Sequence, residues 1–198
     1  MTSLVKESFS SRQVEGHKLV SSIAMALVLI SFSMLFAALF LGYAVYRMQN
    51  PVWPPMGMQR VPLTLPSIST LMIGISSLFY VYFQKGYESF SKKQMKIGLF
   101  STFLFALLFV GSQFLLWSEM HSIGLFVEAG VFPSLLYAFT WIHAAHIGLG
   151  LICLLFLLPV LSSGELSFKM DNRIINIGKF WHFLGLIWLI IYLVLFVF

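Results

Sequence analysis

Five stretches of this 198-residue chain are apolar for long enough to cross a bilayer, and no other feature restricts its fold as much. They run over 19–46, 66–84, 97–118, 131–161 and 180–198, each near or above the ~20 residues that a transmembrane helix needs. None carries a charged side chain in its interior. Hydrophobic residues make up 59% of the chain and charged ones 10%, so a soluble globular fold is excluded. The pattern predicts an all-α polytopic membrane protein: a tail over 1–18, then a bundle of five transmembrane helices over 19–198. Connections of about 10 to 20 residues leave no room for an extramembrane domain. The first run is too long for a signal-peptide core and is expected to stay as an anchor.

The net charge of +5 reports topology, not nucleic acid, because the basic residues fall between the apolar runs. Lys6, Arg12 and Lys18 precede the first run. Lys85, Lys92, Lys93 and Lys96 lie between the second and third, and Lys169, Arg173 and Lys179 between the fourth and fifth. Only Arg47 and Arg60 fall on the other side. The positive-inside rule then expects the N-terminus in the cytoplasm and the C-terminus outside.

The loop from Asn50 to Pro66 holds five prolines in seventeen residues and cannot be helical, since each proline fixes φ and removes a donor. Pro66 suits the first turn of the next helix. Trp53 is expected at the lipid–water interface, and the loop reads first as a stiff connector, second as a docking surface for a partner subunit. In the third run Gln113 and Trp117 share a face, and the glutamine is expected to bond a neighbouring helix. Glu119, His121 and Glu128 follow without the tight spacing of a metal site. The lone Cys153 rules out disulfides within the chain and reads as core filler.

His143 and His146 project from one side of the fourth helix, being three residues apart. Ala144 and Gly148 form a small-xxx-small ledge beside them, suited to close helix packing. Imidazoles are costly in an apolar interior, so each needs a partner. Ligation of a haem together with His182 requires the rings at one level. His182 lies only a few residues inside the last run, and the offset from His146 is roughly 6 to 12 Å at 1.5 Å per residue. Hydrogen bonding between helices is the better expectation. A transporter would show buried ionisable groups, repeats or broken helices, and this chain has none of these in sequence.

Five motifs in order resemble subunit III of the haem–copper respiratory oxidases in its five-span bacterial form. His143-Ala144-Ala145-His146 with Gly150 is similar to that family's H-x-x-H-x-x-x-G helix. Trp181-His182-Phe183 through Trp188 is similar to its W-H-F-x-x-x-x-W signature. Trp53-Pro54-Pro55-Met56-Gly57, with Pro66 beyond, resembles its W-P-P-x-G loop, and Gln113 with Trp117 its Q-x-x-x-W element. Leu41 to Arg47 resembles the end of its first retained helix. The W-P-P loop resembles the cytochrome c oxidase branch more than the quinol oxidase branch. An accessory subunit of a nitric oxide reductase or of a quinol oxidase, and at a further remove a small membrane transporter, stay open as alternatives.

The resemblance implies a non-catalytic subunit in a bacterial plasma membrane. It would pack beside catalytic subunit I, with subunit II and other respiratory-complex subunits as further neighbours. Haem and copper would sit in the partners, none in this chain, and structural phospholipid would bind. On that reading His143, His146, Gly150, Gln113, Trp117, Trp181, His182, Trp53, Pro54 and Pro55 serve packing between helices, with no catalytic, cofactor-binding or metal-binding residue. Family members commonly carry a membrane-embedded glutamate in the first retained helix, where this chain has Phe32. A buried-carboxylate role therefore does not carry over.

Overall fold

The computed structural model describes residues 2–161 and 168–198. Five long helices account for nearly all of them, and no strand occurs among the described residues. They are α1 (Thr2–Gln49), α2 (Thr64–Glu88), α3 (Lys92–Ser122), α4 (Val131–Leu155) and α5 (Phe168–Ile191). A 3₁₀ turn at Val127–Ala129 leads into α4, another at Leu158–Leu161 follows it, and a π-helical segment, Tyr192–Val197, extends α5. Five stretches of 25 to 32 residues, one built on each helix and, for α4 and α5, running on into the segment that follows it, are apolar enough to cross a membrane. The five-helix architecture expected from sequence is what the chain adopts.

Two helices run beyond the apolar stretches that announced them. Helix α1 continues unbroken from Thr2, through the segment expected as a tail. Helix α5 begins at Phe168, about three turns before the expected start at 180. Its early turns are polar in sequence yet find partners on neighbouring helices. Ile174 is buried, and its carbonyl accepts from the Tyr80 hydroxyl of α2 at 2.7 Å. The Asn176 amide donates to Ser21 Oγ of α1 at 2.8 Å. Hydropathy misses this turn because tertiary hydrogen bonds, not apolar content, hold it in the helix.

The closest pair is α2 and α3, joined by a three-residue turn at Ser89–Ser91 in which Phe90 takes φ 58°. Ser91 caps α3, its hydroxyl accepting from Gln94 N. At Gly98 a Cβ would stand 2.6 Å from the backbone N of Phe83, so the two helices touch backbone to backbone. Hydroxyls stitch the same seam: Ser69 to Ser112 at 2.7 Å, and Ser76 to the Thr102 carbonyl at 2.8 Å. Such contacts are what association inside a membrane relies on, since lipid provides no hydrophobic contrast.

Helices α4 and α5 meet at Gly150, where a Cβ would lie 2.8 Å from Cζ3 of the fully buried Trp181. The ledge expected at Ala144 and Gly148 is not used within the chain, for a Cβ at Gly148 would meet nothing within 4 Å. The close approach lies two residues further on, across the helix. Helix α1 is the least enclosed: Phe36 and Tyr43 turn inward, while Leu27, Val28, Met34, Leu35 and Leu41 are exposed.

Candidate functional site: the polar layer between helices

His143 sits at the centre of the bundle with no accessible surface. Its ring is enclosed by one aromatic from each of three other helices: Phe36 of α1, Phe109 of α3 and Trp188 of α5, with centroids 6.2, 5.8 and 5.3 Å away. Neither ring nitrogen has a hydrogen-bond partner in this structure. The expected bond between helices is therefore absent at His143, because aromatic rings occupy the positions that a donor or acceptor would need.

His146 also departs from the expectation. Its Nδ1 lies 2.6 Å from the Ile142 carbonyl of its own helix, one turn back. A carbonyl only accepts, so Nδ1 carries the hydrogen. The ring faces α1, edge-on to Phe32 at 4.2 Å, with Phe36 at 5.6 Å. Phe32 also lies against Phe180 of α5 at 5.7 Å. The position where a family carboxylate is common thus holds a phenyl ring against an imidazole.

His182 does make a bond between helices, its Nδ1 paired with Ser77 Oγ of α2, and Tyr80 stands edge-on to its ring at 5.8 Å. It therefore faces α2. His146 faces α1, and His143 lies level with Trp188, six residues beyond His182, or about 9 Å along the helix. The three rings do not converge on one point, so they do not fit a haem held between two axial histidines.

The remaining residues singled out from sequence divide in the same way. Trp117 Nε1 donates to Thr140 Oγ1 of α4 at 3.0 Å. Gln113, one turn away and almost fully buried, has no partner for its amide nitrogen or oxygen, contrary to the expected bond with a neighbouring helix. Phe109 and Trp117 flank it on α3 and contact His143 and Thr140 of α4.

Trp53 packs edge-on against Tyr43, Tyr46 and Phe132, and the Arg47 guanidinium lies 4.6 Å over its ring. The bond from Trp53 to Pro54 is cis, and Pro55 accepts from Met58 N in the turn that follows. The loop is thereby folded onto the ends of α1 and α4. Arg47 also donates to the Phe198 carbonyl at 2.6 Å.

Among the described residues no three His, Cys, Asp or Glu side chains gather as metal ligands. His121, one member of the trio weighed from sequence, instead lies edge-on to Phe126 at 4.5 Å. Sequence reasoning missed the hydroxyl contacts, including Thr70 Oγ1, which accepts from Trp188 Nε1 at 3.0 Å. Serines and threonines inside apolar runs were the available signal.

Comparison with known proteins gives a consistent picture. The family model described as cytochrome c oxidase subunit III matches residues 5–198. The chain is 25% identical to a cytochrome c oxidase subunit 3 of Synechocystis over 91% of its length and 77% of the relative's. It is 26% identical to the same subunit of Thermostichus vulcanus, covering 85% and 83% of the two chains. A haem–copper oxidase subunit I+III of Aeropyrum pernix is 24% identical over 79% of this chain and 20% of its own. The match over nearly the whole sequence, on a bundle of five membrane-crossing helices, shows that the chain belongs to the cytochrome c oxidase subunit III family.

Proposed function

We propose that this chain is an accessory subunit of a cytochrome c oxidase, without a redox centre of its own, that stabilises the catalytic subunit during O₂ reduction and proton pumping. The observation that carries the reading is the Aeropyrum pernix relative, whose name places subunit I and subunit III in one polypeptide. Fusion keeps two chains side by side, so the broad exposed apolar face of α1 is offered as one surface against subunit I, with subunit II as the further neighbour. The histidines support the same view: one is walled in by aromatics, one bonds its own helix, and one ties α5 to α2.

On this reading the protein lies in a bacterial plasma membrane with its N-terminus in the cytoplasm, an orientation supported by the basic loops. Haem and copper belong to the partners. The test is purification in mild detergent through a tag on this chain, followed by haem absorbance and oxygen consumption. Haem and O₂ reduction are expected to co-purify. Stripping this chain away is expected to leave the haem with the partners and to lower sustained turnover. A preparation in which haem stays with this chain alone overturns the reading, as does one that is colourless and without partners.

A further inference from the structure

Helices α2 and α5 leave a cavity of 280 Å³ between them, walled by one stripe of each helix. Thr70, Gly74 and Ser77 line it from α2, and His182, Gly185 and Leu189 from α5, each set spaced for a single helix side. Both sets fall around the middle of their membrane-crossing stretches, Thr64–Glu88 and Met170–Val197. The Ser77–His182 bond closes one end, and the bond from Trp188 to Thr70 marks the other. Between them the space stays open because glycine stands on both sides. A Cβ at Gly74 would meet nothing within 4 Å, and one at Gly185 only Ile73 Cγ1 at 3.9 Å. Leu186 and Leu189 are exposed at the rim, so the cavity opens sideways from the bundle.

No lining residue carries a formal charge, and among the lining side chains one hydrogen is left to give. Thr70 Oγ1 is occupied twice, donating to the Pro66 carbonyl and accepting from Trp188 Nε1. The Ser77 hydroxyl has no acceptor among the described residues other than His182 Nδ1. Its hydrogen therefore goes to Nδ1, which leaves the ring's own hydrogen on Nε2. Nε2 donates to nothing among the described residues. A ring nitrogen with a free hydrogen at this depth calls for an acceptor, since hydrocarbon supplies none.

We propose that this cavity binds the head ring of a membrane-soluble quinone, one carbonyl oxygen accepting from His182 Nε2 and the ring lying against Gly74 and Gly185. A volume of 280 Å³ stands at the lower end of small-ligand sites, enough for one substituted ring and too little for a helix. The quinone's hydrocarbon tail leaves past Leu186 and Leu189. A charged headgroup does not belong at mid-membrane between uncharged walls. A plain hydrocarbon chain suits the walls but gives His182 nothing to donate to. Selection thus rests on a neutral ring that carries a carbonyl.

The test uses the full chain in detergent, exposed to decylubiquinone or to decylbenzene, which has a ring and a tail but no carbonyl. Retained ligand is read by native mass spectrometry. Wild type is expected to keep one decylubiquinone and to prefer it over decylbenzene by about tenfold, the worth of one hydrogen bond. His182→Asn keeps a polar atom near Nδ1 for Ser77 and removes Nε2, and is expected to lower retention by about tenfold. Gly74→Leu fills the cavity without removing any contact, and is expected to abolish retention while the melting temperature holds or rises. That variant keeps the proposal falsifiable even where His182→Asn fails to fold. No retained decylubiquinone, equal retention of decylbenzene, or unchanged retention in Gly74→Leu overturns the proposal.

Discussion

Two glycines on α4, two residues apart, face opposite consequences from the same substitution. In Gly150→Ala the new methyl would stand 2.8 Å from Cζ3 of Trp181, 3.0 Å from its Cε3 and 3.0 Å from Cδ1 of Leu184. Trp181 is wholly buried, and the indole has no open side to move towards. Overpacking of this kind costs about 1–3 kcal/mol. Alanine returns up to about 1 kcal/mol through its better helix propensity, leaving at full return a net loss of about 0–2 kcal/mol. Gly148→Ala meets nothing within 4 Å and is expected to be neutral, or stabilising by up to about 1 kcal/mol. For a chain of this size 1 kcal/mol moves Tm by about 2–4 °C, so the two variants should separate clearly in a thermal melt followed by tryptophan fluorescence in detergent. Trp181→Phe removes the ring atoms nearest Gly150, so the double variant should lose less than the sum of the singles. Equal melting points for the two alanine variants, or strict additivity with Trp181→Phe, would refute the close-approach argument.

Other expectations follow from the polar layer. The bond between Ser77 and His182 should show a coupling energy of about 0.6 kcal/mol, and below about 1.7, in a double-mutant cycle of Ser77→Ala with His182→Ala; zero coupling would remove the bond from the account. His143→Leu deletes an imidazole with no partner and should raise stability by about 1 kcal/mol, seen as a higher Tm, whereas a fall would mean the ring is satisfied after all. Phe32→Glu places a carboxylate against His146, within the aromatic contacts of Phe36 and Phe180. It is expected to leave turnover of the assembled oxidase unchanged or lower, and a clear gain in sustained turnover would contradict a purely architectural role.

The five-helix bundle was legible in the sequence because hydrocarbon demands long apolar helices, a constraint that acts on each segment alone. The resemblance to subunit III was likewise written in local motifs such as Trp181-His182-Phe183 and the Trp53-Pro54-Pro55 loop. Which residues on those helices meet was not. From 3.6-residue periodicity His143 and His146 share a side, yet the fold surrounds one with three rings and turns the other onto the Ile142 carbonyl of the same helix. The ledge at Ala144 and Gly148 had the right composition, but rotation of α4 brings Gly150 to the partner instead.

The sequence by itself determined element type, number and order, through apolar length and the placement of prolines and basic residues. Only tertiary structure decided helix rotation, the early start of α5 against Tyr80 and Ser21, and the meeting of Gly74, Gly185 and His182 around one cavity. The physical reason is that membrane insertion senses composition summed along one segment. Helix packing instead depends on single atoms of other segments, where one Cβ or one hydroxyl decides which face turns inward.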